Sequence, residues 1–149
     1  MQATSSVEPR RPISWRRLAW ATVLSAIAAA AGTGMLFAAA AAAGIVDTRV
    51  LLPTLTGTGP LNLAAVWVAT VVAVAGAAVL LALLAVTTRR AVGAFRIVAT
   101  VVALVSLAMP ATVAGPPARM RLTMEGMHAV VWAVCVGMLA TLARREGTG

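Results

Sequence analysis

One helical face in the last third of the chain gathers Arg121, Glu125 and His128 at i, i+4 and i+7, with Trp132 and Cys135 continuing it. A carboxylate and an imidazole three residues apart point the same way on a helix, the Glu-x-x-His spacing of carboxylate-bridged di-metal bundles. Those sites need two such pairs and further carboxylates. Here His128 is the single histidine, and the remaining acidic residues are Glu8, Asp47 and Glu146. A haem between two helices would need a second axial ligand, for which only methionine is on offer. Met120, Met124, Met127 and Met138 surround His128 in sequence, and soft thioethers suit Cu(I), yet methionine is mostly flexible core filling. The plainer reading makes Arg121 and Glu125 an i,i+4 ion pair at the outer surface, with His128 bonded to Glu125 or to a neighbouring helix. Arg121, Glu125 and His128 are accordingly the candidate polar site, and no catalytic, cofactor-binding or metal-binding residue is assigned.

The other chemistry-bearing types exclude more than they suggest. A single cysteine, Cys135, forbids an intrachain disulfide and any Cys-x-x-Cys redox or zinc motif. No Gly-rich phosphate loop, serine nucleophile with its base, or His-Glu-x-x-His element is present. Thr70, Thr100 and Ser106 read as hydroxyls that back-bond to their own helices or bridge to a neighbour.

The elements that must hold these residues are apolar. Of 149 residues 61% are hydrophobic and 11% charged, and the mean hydropathy is +0.96, too little polar surface to cover a small soluble domain. Four spans follow, at about residues 18–43, 61–86, 91–114 and 123–143. They make a membrane domain over residues 15–145, preceded by a disordered cytoplasmic tail at 1–14 and followed by a short tail at 146–149. A cleaved signal peptide is disfavoured because the first apolar run far exceeds the usual length of such a core. Residues 44–60, with Asp47, Arg49, Pro53 and Gly57-Thr58-Gly59-Pro60, read as an ordered or semi-ordered external loop. Asn62 is a plausible cap for span two, and Pro110 is expected to end or kink span three.

The net charge of +8 comes from twelve basic residues, all arginine, against four acidic ones. Nucleic-acid binding is not expected, because the arginines form no continuous face and instead punctuate the ends of the spans. Arg10, Arg11, Arg16, Arg17, Arg89, Arg90, Arg96, Arg144 and Arg145 fall on one side; Arg49, Arg119 and Arg121 fall on the other. The positive-inside rule then puts both termini in the cytoplasm, in agreement with an even number of spans. Trp15 and Trp20 bracket the inner start of span one as an interfacial anchor. For packing, four-residue stripes of small residues are expected to face the bundle: Thr22, Ala26, Ala30, Gly34, Ala38 and Ala42 on span one, Ala65, Ala69, Ala73 and Ala77 with Ala85 further along on span two, and Ala129, Ala133, Gly137 and Thr141 on span four.

The Arg16-Arg17-Leu18-x-Trp20 entry, Phe95-Arg96 with Ser106-Leu107 and Pro110 in span three, and Met127-His128 in span four together resemble a family of small four-span actinobacterial membrane proteins. That family carries no assigned function. The likeness runs from Arg16 to Arg145; it implies that His128 is not accidental and supplies no mechanism.

The expectation is an all-α transmembrane four-helix bundle in the inner (plasma) membrane, with both termini cytoplasmic, no cofactor and no enzymatic chemistry. It reads as an accessory or interaction protein whose partners are the lipid bilayer and a second copy or another membrane protein. Two alternatives stay open: a small transporter or permease with its external mouth at Arg121, Glu125 and His128, and a redox or metal-binding membrane subunit.

Overall fold

The computed structural model describes residues 13–47, 51–54, 57–112 and 116–143. Residues 1–12 of the expected tail at 1–14, the tail at 146–149, and Arg49, Arg144 and Arg145 lie outside them, whereas Ile13, also assigned to that tail, is buried in the core cluster. Four long helices carry the fold: α1 Trp15–Ala42, α2 Leu63–Thr87, α3 Ala91–Thr112 and α4 Ala118–Leu142. All four are long and apolar enough to cross a membrane. A helix satisfies its own amides and carbonyls, which a chain in hydrocarbon must do. The 28 residues of α1 reach about 42 Å, well beyond a hydrocarbon core of about 30 Å.

Local chemistry sets the ends. Asn62 Oδ1 accepts the Ala65 amide at 2.8 Å and opens α2. At the end of α1, Gly44 takes φ +67°, a conformation that costs glycine nothing, and the Ile45 amide returns to the Ala40 carbonyl at 2.9 Å. The link to α2 contains an antiparallel hairpin, β1 Leu51–Thr54 with β2 Gly57–Pro60, where the sequence suggests only a loop. Helix α3 is described to Thr112, two residues past the proline expected to end or kink it. One start differs from expectation. Helix α4 starts at Ala118 rather than near 123, because Pro116-Pro117 sets the start and the Pro117 carbonyl already takes the Met120 and Arg121 amides.

Each helix packs on its sequence neighbours, and α1 also packs on α4, closing a ring. The interior is lined by Ala21, Ser25, Ala29 and Thr33 on α1, by Val66, Thr70, Val74, Ala78 and Leu81 on α2, and by Phe95, Met127, Cys135 and Leu139 from the other two helices. Large residues such as Trp20, Ile27, Val79, Leu83, Ile97 and Leu104 face outward. The α1 face of the interior is made of small residues while many large apolar side chains point outward, unlike a soluble protein. That is the arrangement expected where lipid surrounds the helices and close backbone approach holds them together.

The contact faces sit beside the expected stripes. On α1 the buried line is Ala21, Ser25, Ala29 and Thr33, one position before the stripe through Thr22 and Gly34; on α2 it is Val66, Thr70 and Val74, one position after Ala65, Ala69 and Ala73. On α4 the expectation is overturned, since Ala129, Ala133, Gly137 and Thr141 are all exposed. The α1–α4 seam uses other glycines. A Cβ on Gly32 would stand 2.8 Å from Val130 Cγ1, and one on Gly126 would stand 3.0 Å from Leu36 Cδ2.

Candidate functional site

Pro116 precedes α4, whose Met120 and Arg121 amides go to Pro117, so the Pro116 carbonyl has no helical donor of its own. The Arg121 side chain, which leans toward the helix start like any helical side chain, donates from Nε to that carbonyl at 3.0 Å. One turn further on, Thr123 Oγ1 donates to the Arg119 carbonyl at 3.0 Å. His128 is half-buried, and its Nδ1 lies 2.8 Å from the Met124 carbonyl, four residues back on its own helix. A carbonyl can only accept, so Nδ1 carries the proton of this bond.

The three candidates therefore share a face without forming a cluster. Among the described residues no ion pair joins Arg121 to Glu125, and the half-buried Glu125 has no hydrogen-bond partner. The expected i,i+4 pair fails because Arg121 is drawn away toward the orphan Pro116 carbonyl. The expected bond from His128 to Glu125 or to another helix fails because the imidazole is satisfied by its own backbone. Among the described residues no group of three His, Cys, Asp or Glu is placed to hold a metal. Met120 and Met127 are buried as packing, while Met124 and Met138 are half-buried.

Polar chemistry is instead concentrated where helices meet. Thr33 and Thr70 place their hydroxyls 3.2 Å apart between α1 and α2, and Thr33 also back-bonds to the Ala29 carbonyl at 2.8 Å, so Thr70 is the donor of the bridge. Trp67 Nε1 donates to the Ala30 carbonyl at 3.1 Å across the same interface. Trp132 Nε1 donates to Thr100 Oγ1 at 3.2 Å and ties α4 to α3. The sequence singled out Thr70 and Thr100 as possible bridges but not their partners. Thr33–Thr70 and Ala30–Trp67 are both 37 residues apart, a separation that no local motif marks.

Two features had no sequence signal. Ser25 Oγ is buried and, among the described residues, has no partner, a state that costs about 1–3 kcal/mol for a buried polar group. At the same end of the bundle α4 widens into a π turn over Cys135–Leu139, where the Ala140 amide reaches five residues back to Cys135. The Thr141 hydroxyl covers carbonyls of that turn, donating to Gly137 and to Met138. Such turns accommodate one extra residue without breaking the helix.

No curated protein and no solved structure gives a significant match to the chain. A family of unknown function, DUF6069, matches residues 13–145, which spans all four helices and the polar face of α4, and the chain belongs to that family.

Proposed function

We propose that this is a multi-pass protein of the inner membrane, with both termini in the cytoplasm, acting as a non-catalytic accessory or interaction protein. Four apolar helices fit a membrane protein. The orientation rests on nine of the twelve arginines flanking one end of the bundle. The observation that carries the accessory reading is the use of polarity in the interior. The buried polar side chains among the described residues are Ser25, Thr33 and Thr70, and the two threonines are spent on each other. A pathway for a charged substrate calls for ionisable groups facing the bundle interior. The small-residue face of α4 at Ala129, Ala133 and Gly137 is left outward, where the backbone of a partner helix can approach closely.

The second reading, a small transporter with its mouth at Arg121, Glu125 and His128, is favoured by one observation: Glu125 is half-buried and carries no ion pair among the described residues. Reconstitution into liposomes with an internal pH dye separates the two. The accessory reading expects the same proton flux as empty liposomes across an imposed pH gradient. Flux above that level, lost in both Glu125→Gln and His128→Ala, would establish the transporter instead.

A further inference from the structure

The four tryptophans divide into two pairs. Trp67 and Trp132 spend their indole N–H groups on bonds between helices. Trp15 and Trp20 sit in the first turns of α1, are 49% and 61% exposed, and donate to nothing among the described residues. A tryptophan at a membrane border presents its ring to acyl chains and its N–H to the headgroup region.

The surroundings of Trp20 extend this match along α1. Arg16, Trp20, Val23 and Ile27 are all exposed and follow one another at i, i+4, i+7 and i+11, so they form one outward stripe. From the helix start inward the stripe reads cation, indole, then branched aliphatic, with Trp20 about 6 Å deeper than Arg16. A phospholipid lying along it would meet groups in the same order: headgroup, glycerol-ester region, acyl chain.

The charge balance selects the headgroup. Arg16, Arg89, Arg90 and Arg96 are exposed at this end of the bundle. By sequence alone, the segments flanking the spans on this side carry nine arginines against Glu8 and Glu146, +7 of the net +8. Two helices start at this end, and neither has an acidic residue in its first turn; Ser14 makes no side-chain cap at α1. Cations beside helix N-termini oppose the helix dipole, and an anion placed there offsets both.

We propose that the Arg16–Trp20–Val23–Ile27 stripe is a seat for an anionic phospholipid, with the phosphate on Arg16, the ester region on the Trp20 indole N–H and one acyl chain along Val23 and Ile27. The seat rests on the membrane placement above and is independent of the accessory role, so the flux experiment and this one fail separately. The full chain is purified in a neutral detergent, and its thermal unfolding is followed with added phosphatidylglycerol, phosphatidylcholine of the same chains, or inorganic phosphate. The expected result is a rise in Tm with phosphatidylglycerol that the other two do not match. Arg16→Gln and Trp20→Phe should each lose most of that rise, while Arg119→Gln at the opposite end keeps it. Both substituted side chains are exposed, and the Tm of each variant in phosphatidylcholine reports whether its fold is intact. Equal rises with both lipids, a rise with phosphate alone, or a full phosphatidylglycerol response in folded Arg16→Gln and Trp20→Phe would overturn the seat.

Discussion

Gly32→Leu is expected to destabilise the bundle by about 1–3 kcal/mol, the cost of overpacking a close-packed interior, whereas Gly137→Leu should leave it nearly unchanged. At Gly32 even a Cβ would stand 2.8 Å from Val130 Cγ1. Valine is held to one side-chain rotamer on a helix, so the collision is relieved only by moving α1 and α4 apart. Separation would also loosen the packing of Gly126 against Leu36, 3.0 Å from a Cβ, which lies on the same seam. At Gly137 a Cβ would meet nothing within 4 Å, and the residue is exposed. Thermal unfolding in detergent of the two variants beside the parent chain checks the pair. A fall at Gly137 equal to that at Gly32 would mean that the small-residue face of α4 is an internal seam after all.

Phe95→Ala should cost about 3 kcal/mol, the lower end of the range for removing a buried aromatic from a soluble core. Phe95 is fully buried and heads the large side chains of the core, in the buried cluster that also holds Leu18, Ala21, Val92 and Leu139. In lipid the transfer part of the penalty shrinks, because an unpacked phenyl ring finds acyl chains rather than water. What remains is the void itself, whose lining forfeits the dispersion attraction of the ring. Phe95→Leu, which keeps most of the volume, should recover the larger part of the stability. The same melting experiment reads both, and an unchanged Tm for Phe95→Ala would show that this end of the bundle is not close-packed.

Four helices and their membrane character were legible in the sequence because a run of apolar residues longer than a bilayer is thick has few other uses. The faces were less legible. When nearly every residue of a span is apolar, burial leaves no alternation to read, and abundant alanine makes four-residue stripes on several sides of each helix. On α1 the fully buried line came out one residue away from the stripe read there, whose Ala30 and Gly34 still border α2 through Trp67, and on α4 the stripe faced outward. Arg121, Glu125 and His128 were rightly placed on one face, since spacing alone decides that. Their bonds were not foreseen because backbone carbonyls compete with side chains: Pro116 captures Arg121, and Met124 captures His128. The hairpin at Leu51–Thr54 and Gly57–Pro60 was hidden by its prolines and glycines, which weaken any strand pattern.

The central claim is a four-span bundle whose arginine-rich end faces the cytoplasm, and cysteine accessibility tests it most directly. Cys135 is buried within α4, so the parent chain should take up no membrane-impermeant maleimide in intact cells. Leu51→Cys, at an exposed position of the hairpin, and Arg89→Cys, in the exposed turn between α2 and α3, place one thiol beyond each end of the bundle. The account predicts labelling of Leu51→Cys in intact cells and of Arg89→Cys only after the membrane is opened. The reverse pattern would invert the topology, and labelling of both in intact cells would contradict the four-span arrangement itself.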